Sequence, residues 1–326
     1  MLKNILVITS PTFDDSWVDC LYIGLLRRGY NVHIYPYKWY YVQGFERAFL
    51  YVDVHTPSVS VEEIVTLCDA GFYDLLIVGF FWKEDPNRNY ILRHATCPIV
   101  VFNSRDNPWE HSDRLRIQEL CTHGSVLCEF RKEVLQSEED IYPVSHPIES
   151  HYIEEVDFDK KYDVFAVYGS KFPQAAHHKR MMVCELIKDI FSERCVASYP
   201  ANMPFDEFRR LCRKSWIGIN VRGVGFQTAR YFEIPAFGAA LVSERLSIII
   251  PNDFKEPEQV RFFDFEFERK GDWRVLPTLL EIIGELLRDK ERLKEMIIRG
   301  HEHVKKYHTI EATTEYFLDI VQKHLG

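Results

Sequence analysis

The chain has 326 residues, 40 Lys and Arg against 49 Asp and Glu, and a formal net charge of −9; 46% of it is hydrophobic and 14% aromatic. That length suits two domains of ordinary size, and the apolar content is enough to give each a packed core. The acidic balance argues against a protein that holds nucleic acid by broad phosphate neutralisation, which needs Lys and Arg gathered on one face.

The opening strand from Met1 to Ser10 is too short for a secretion signal, and no run of about 18 apolar residues offers a membrane span. A soluble, cytoplasmic protein is therefore expected. Cys20, Cys68, Cys97, Cys121, Cys128, Cys184, Cys195 and Cys212 are scattered without the close pairs of a zinc or redox site, which reads as buried thiols.

In chain order, Asn4–Ile8 reads as a strand, Ser16–Arg28 as a helix, Asn31–Tyr35 as a strand and Val61–Ala70 as a helix. Leu75–Phe80, Ile99–Phe102 and Ser125–Phe130 follow as strands. Continuous apolar strands separated by amphipathic stretches imply a parallel sheet covered on both faces. Between Gln136 and Lys161 the pattern gives way to acidic, Pro-bearing sequence, read as an interdomain connection.

The alternation then resumes. Tyr162–Tyr168 is a strand, Ala175–Ile190 a helix, Arg194–Ser198 a strand, Pro204–Ser215 a helix and Ile217–Asn220 a strand. A helix over Thr228–Phe237, a strand over Ala239–Ser243 and a short apolar run at Arg261–Phe263 complete the second half. The tail reads as helical over Val275–Leu287, Lys290–Lys306 and Ile310–Leu325, with Gly300, a poor helix former, lying within the second stretch. The expectation is an α/β protein of two Rossmann-like domains facing a central cleft, over residues 1–142 and 143–309, with a last helix over 310–326 crossing back to the first domain.

In open parallel sheets ligands bind beyond the carboxyl ends of the strands, where helix N-termini offer N–H groups to anions. Three such places in the second half carry suggestive residues. Gly169-Ser170-Lys171 ends one strand, with Lys179 and Arg180 in the helix beyond it. Arg222-Gly223-Val224-Gly225 ends another and leads to Thr228 at the next helix start. Either loop also reads as a plain turn, and Lys179-Arg180 as a solvated helix face. The third is Glu233, a carboxylate inside the apolar run Tyr231–Phe237. Such a group is costly unless it meets a ligand or a cation, and Arg230, three residues back, is the alternative partner.

The run Arg230-Tyr231-Phe232-Glu233-Ile234-Pro235-Ala236-Phe237-Gly238, followed by Ala239-Ala240-Leu241-Val242, resembles the "R-x-F-E-x-x-A-x-G-x-x-L-[VI]" signature of the CgeB-like branch of the group 1 glycosyltransferases. Asp163–Ser170 and Ser215–Asn220 resemble the strands before it, and Leu286–Lys290, Gly300–Val304 and Tyr307–Thr309 resemble its end. The resemblance covers Lys161 to the end of the chain. It implies a GT-B fold in which Glu233 binds the ribose of a nucleotide-sugar donor and the Arg230 end of the helix faces the diphosphate. Related enzymes often carry a second glutamate eight positions earlier; that position is Gly225 here, so contacts to the donor sugar do not carry over.

In the first half, Asp14 beside Asp15, and the stretch Asn103–His111 with Asp106 and His111, lie at predicted strand ends. A "D-x-P" after a strand recurs in CgeB-like proteins, which favours Asp106 as the group that accepts a proton from an acceptor hydroxyl. Asp14 and Asp15 also read as helix caps, and Asp106-Asn107-Pro108 as a turn. The aromatic run Tyr35–Tyr41 reads as core or as a shelf for an acceptor.

The resulting expectation is a metal-independent glycosyltransferase without a cofactor, which moves a sugar from a nucleotide-diphosphate sugar to an acceptor hydroxyl. Arg230 with one of Lys171, Lys179 or Arg222 would stabilise the leaving diphosphate, and Thr228, Gly169 and Ser170 would line the donor site. The acceptor is open among a polysaccharide, a protein, a lipid carrier and a modified nucleobase. The rival readings are an epimerase or hydrolase on the same fold, and a non-catalytic binding or assembly protein.

Overall fold

The computed structural model describes residues 2–9, 15–47, 50–79, 85–106, 113–169, 175–223, 225–267, 273–275 and 278–326. The chain divides into two compact units, one of residues 1–149, 249–251 and 310–326, the other of residues 150–248 and 252–309.

The first unit runs β1 (Asn4–Ile8), α1 (Ser16–Arg27), β2 (Asn31–Tyr35), β3 (Phe45–Arg47), β4 (Leu50–Val52), α2 (Val61–Asp69), β5 (Leu75–Val78), α3 (Pro86–His94), β6 (Ile99–Asn103), α4 (Arg114–Leu120), β7 (Val126–Arg131) and β8 (Ile141–Pro143). Six of these strands form one parallel sheet in the order β2-β1-β5-β6-β7-β8, and β3 and β4 make a separate antiparallel hairpin. The strand order reverses between β1 and β5, which makes the crevice beyond their carboxyl ends the favoured place for a ligand.

Alternate residues of β1 and β5 feed cores on opposite faces of that sheet. Ile5, Val7, Leu75 and Ile77 join α1, and Leu6, Ile8, Leu76 and Val78 join α2 and α3. Continuous apolar strands are what such two-sided burial requires. The helix starts are marked by caps: Asp15 accepts from the Val18 amide, Ser60 from Glu63 and Asp85 from Asn87.

The second unit runs β9 (Tyr162–Gly169), α5 (Ala175–Phe191), β10 (Cys195–Ala201), α6 (Phe205–Arg213), β11 (Ser215–Asn220), α7 (Ala229–Ala236), β12 (Ala240–Glu244), β13 (Val260–Phe263), β14 (Phe265–Phe267), β15 (Trp273–Val275), α8 (Thr278–Arg288) and α9 (Lys290–Tyr307). Its parallel sheet has the order β10-β9-β11-β12-β13, so the reversal falls between β9 and β11; β14 and β15 form an antiparallel pair. Each unit is thus a Rossmann-like parallel sheet flanked by helices.

Gly300 does not interrupt α9. A Cβ there would lie 3.3 Å from the Pro235 ring, so its absence is what lets α7 pack against the middle of this helix. The final helix, α10 (Ile310–Leu325), belongs to the first unit: Glu311 pairs with Arg27 of α1 at 2.8 Å, and Phe317 packs on Phe130 of β7 with ring centroids 4.8 Å apart.

Several elements differ from the sequence-based expectation. The segment read as an unstructured connection contains β8, an edge strand whose Pro143 needs no ladder partner on its outer side. Helix α3 carries too few apolar residues to show a helical period, although Pro86 at its first turn and the Asp85 cap mark its start. Val275 ends a strand and is not the start of a helix. Among the described residues, no helix is long and apolar enough to cross a membrane.

Candidate functional site

The carboxyl ends of β9, β11 and β12 bring together most of the charged groups in question. Arg180 lies one and a half turns into α5, with its guanidinium over the Tyr168 ring at 5.5 Å and Nη2 donating to the Val221 carbonyl at 3.3 Å. Its Nε is buried and, among the described residues, has no hydrogen-bond partner. The backbone at Gly223 passes so close that a Cβ would stand 3.0 Å from Arg180 Nη2, so a side chain there would push the end of this guanidinium aside.

Arg230, in the first turn of α7, donates from Nε to the Val167 carbonyl at 2.6 Å and lies over the Phe208 ring. Two guanidiniums therefore meet at the end of β9. Burial and the Arg230 charge together push the Arg180 guanidinium below its ordinary range. Among the described residues neither guanidinium is in an ion pair, so two like charges are held close at a cost that an incoming anion relieves.

The pairing of Glu233 with Arg230 does not form: among the described residues no ion pair joins them and no hydrogen bond reaches the Glu233 carboxylate, although its backbone carbonyl accepts from the Phe237 amide at 2.9 Å. Burial pushes its carboxyl above the ordinary range, with the Arg230 charge pulling the other way. Thr228 precedes α7 and does not cap it; its Oγ1 donates to Asn220 Oδ1 at 2.7 Å, which leaves the helix N-terminus without a side-chain cap.

Lys179 and Arg222 share one partner. Both engage Glu244 at the end of β12. Lys179 Nζ pairs with its Oε1, Arg222 Nε approaches Oε1 at 3.0 Å, and the Arg222 amide donates to Oε2 at 3.0 Å. Lys179 is only 3% exposed, so it is no solvated helix face. The sequence signal for Glu244 was its position one residue past an apolar strand, where a buried acid needs a cation. Gly169 ends β9 with open space where a side chain would be, and Ser170 and Lys171 lie outside the described residues.

The first unit shows a different chemistry at its own switch point. Asp15 is buried between the ends of β1 and β5, accepting from the Val18 amide through Oδ1 at 3.4 Å and from Ser104 Oγ through Oδ2 at 2.9 Å. Its carboxyl is pushed up to about 6 by burial and by the nearby Asp19. Asp19 itself takes Lys38 Nζ at 2.8 Å and the hydroxyls of Tyr40 and Tyr41 at 2.6 and 2.5 Å. Those two tyrosines are core residues and not an acceptor shelf; Trp39, at 75% exposed, is the aromatic of that run that faces solvent.

Asp106 pairs with the buried Lys132, whose ammonium stands 4.7 Å from the centre of the Trp17 ring. Asp14 and His111 lie outside the described residues. All eight cysteines are free thiols, and among the described residues no group of three His, Cys, Asp or Glu side chains is arranged to hold a metal ion.

Residues 150–319 match the model of the glycosyl transferase-like family. No curated protein matches the chain by sequence. Among solved structures, the chain is similar to a glycosyltransferase from Rickettsia africae, at 8% identity and a TM-score of 0.60 over 99% of both chains. It is similar to a sucrose-phosphate synthase from Thermosynechococcus elongatus, at 10% identity and 0.54 over 98% of both. It is also similar to S. aureus MnaA in a structure with UDP, at 10% identity and 0.50 over 99% of this chain and 97% of that one. At such identities the likeness establishes the fold, the GT-B type of two Rossmann-like domains. The family model spans more than half of the 326 residues, and the chain belongs to the glycosyl transferase-like family.

Proposed function

We propose that the protein transfers a sugar from a nucleotide-diphosphate sugar to an acceptor hydroxyl, with the diphosphate held at the β9/β11 switch point of the second unit. The observation that carries this reading is the pair of Arg180 and Arg230 at one strand end, beside an unpaired Glu233 and an uncapped helix N-terminus. Around that point stand four cations, Lys179, Arg180, Arg222 and Arg230, against two carboxylates, Glu233 and Glu244. The surplus matches the two negative charges of a diphosphate and needs no divalent ion to balance it.

The same arrangement suits the chemistry. As the bond from the anomeric carbon to the diphosphate breaks, negative charge grows on the leaving oxygen, and fixed guanidiniums stabilise it without reorganising. Glu233, one turn into α7, accepts hydrogen bonds from the ribose hydroxyls, and the desolvation that raises its pKa is offset once they bind. Lys179 and Arg222 act through Glu244, which fixes the loop after β11 by taking the Arg222 amide. Gly169, Ser170, Lys171 and Thr228 complete the donor side, and Asp106, Asp14 and His111 the acceptor side. The resemblance over Arg230–Glu244 supports placing the chain in the CgeB-like branch, and the UDP in the MnaA structure makes uridine the first base to try.

A thermal-shift screen against UDP, GDP, dTDP, CDP and ADP with their sugar conjugates tests the reading, because a ligand that binds only the folded state raises its stability. One nucleotide family should stabilise the protein and lose that effect in Glu233→Ala. No stabilisation by any of them at millimolar concentration contradicts it. Turnover of the donor without an acceptor, yielding an epimer, would favour the epimerase reading.

A further inference from the structure

We infer that His303 and His308, at the end of α9, form an acid-labile clasp on which α7 is bedded, the helix that carries Arg230 and Glu233. Its bearing on nucleotide binding rests on the transfer reading above; the clasp itself does not.

Both imidazoles converge on one carbonyl. The Asn252 oxygen accepts from His303 Nε2 at 2.6 Å and from His308 Nε2 at 3.1 Å. Asn252 is the residue at which the chain re-enters the second unit, and Thr309, next to His308, is the last residue before it leaves. The two bonds therefore tie the entering and leaving segments of this unit together, across 56 residues of sequence.

Helix α7 rests on this knot. Phe232 packs on the His308 ring with centroids 4.8 Å apart, and Tyr231 packs on Phe254 at 5.2 Å while its hydroxyl donates to Asp253 at 2.8 Å. Phe254 in turn meets His303 and His308 at 5.0 and 5.6 Å. A third imidazole of α9, His301, donates from Nδ1 to the Pro235 carbonyl of α7 at 3.2 Å. Tyr231 and Phe232 are fully buried, so these contacts hold the inner face of the helix.

The bonds require neutral rings. A carbonyl only accepts, so each of the two histidines carries its proton on the Nε2 that meets Asn252. Gln259 Nε2 donates to His303 Nδ1 at 3.2 Å, while Gln259 Oε1 takes the Lys255 amide at 2.9 Å. A second proton on His303 would set one N–H against another. His308 is fully buried, where a charge is costly.

The charged surroundings add to that cost. Lys255 and Lys306 act on His303, and His303 acts on His308. Asp253, the acid beside Asn252, is taken by the Tyr231 hydroxyl and the Phe254 amide. Lys305, Glu302 and Glu155 stand around His301. Burial holds all three imidazoles below their ordinary range, His308 at about 3. Each ring thus binds a proton more readily once released, so the clasp is at full strength above about pH 6.5 and weakens as the pH falls below it.

Hydrogen exchange followed by mass spectrometry at pH 7, 6 and 5, corrected for intrinsic rates, tests the clasp. A ring held at about 3 when closed and near 6.5 when released makes the open fraction rise about 25-fold between pH 7 and pH 5. That rise should appear in residues 229–237, 252–259 and 303–309, while β11 keeps its protection. His303→Gln, which keeps a donor for Asn252 and takes up no proton, should make the dependence shallower, and His308→Gln should cut the rise at least about fivefold. A rise below threefold, an equal rise in β11, or a slope unchanged in both variants overturns the clasp.

Where the buried His308→Gln does not fold, His303→Gln and the rings themselves decide. Long-range proton–nitrogen NMR spectra of the unmodified protein should show His303 and His308 with their proton on Nε2 and still neutral at pH 6, where a free imidazole is mostly charged. A charged ring at either position overturns the proposal. No nucleotide enters these measurements, so the clasp and the donor reading fail separately, the latter by calorimetry with UDP.

Discussion

At the β9/β11 switch point of the second unit the converging side chains are mainly cations, Lys179, Arg180, Arg222 and Arg230, whereas at the β1/β5 switch point of the first they are mainly acids, Asp15, Asp19 and Asp106. The backbone arrangement is the same kind of parallel sheet in both. What separates them is how the charges are compensated. In the second unit Glu244 binds two of the cations and leaves Arg180 and Arg230 for an anion. In the first, Lys38 binds Asp19 and Lys132 binds Asp106, and among the described residues Asp15 takes only the neutral Val18 amide and Ser104 hydroxyl as donors. On the proposed reading the second unit holds the leaving diphosphate, and the first supplies the acceptor side of a group transfer to a hydroxyl.

The sharpest way to break this comparison is to remove the carboxylate on which the second unit's cations are organised. Glu244→Gln strands Lys179 in the interior, and breaking a buried pair in this way costs about 3–5 kcal/mol. The melting temperature should fall by on the order of ten degrees. A fall of only a degree or two would mean that Lys179 finds another partner.

Asp15 offers the next largest effect, through pH. Its pKa lies above the 3.8 of an ordinary aspartate, so the folded state binds the proton more tightly than the unfolded chain does. Its contribution therefore favours folding at low pH and is lost as pH rises from about 4 through about 6. The full span is about 3 kcal/mol. Asp15→Asn, which can still cap α1, should flatten that part of the stability profile in denaturant titrations at pH 4, 5, 6 and 7. An unchanged slope would show that another group carries it.

Arg230→Gln should weaken binding of a nucleoside diphosphate by about 10- to 100-fold, the range for one charge-assisted contact, and leave nucleoside affinity alone. Equal losses for both ligands would indicate a structural role for Arg230. The smallest effect is at Glu233. Because its carboxyl is desolvated and, among the described residues, unpaired, Glu233→Gln should stabilise the ligand-free protein by about 1 kcal/mol while weakening ribonucleotide binding. A destabilised variant would reveal a partner for the carboxylate.

Much of the fold was legible in the sequence because two-sided burial demands continuous apolar strands. The runs at Asn4–Ile8 and Asn31–Tyr35 coincide with β1 and β2, and those at Tyr162–Tyr168 and Ile217–Asn220 differ from β9 and β11 by only a residue or two. The missed elements lack that signature: β8 is a three-residue edge, and α3 is recognisable from its cap and proline more than from its polar body. At the site, Glu233 and Arg230 stood out because an acid in an apolar helix is conspicuous. Arg180 did not, since its role follows from Tyr168 of β9 and from Val221 and Gly223 of the loop after β11 closing around it, which periodicity cannot show. The same holds for the Ser104–Asp15 contact, whose partners are 89 residues apart.

Calorimetric titration of UDP and of uridine into the unmodified protein and Arg180→Gln tests the central claim most directly. The account predicts that UDP binds the unmodified protein far more tightly than uridine does, and that Arg180→Gln removes most of that difference while leaving uridine affinity in place. If UDP binds Arg180→Gln as tightly as the unmodified protein, the diphosphate is not held at the β9/β11 switch point.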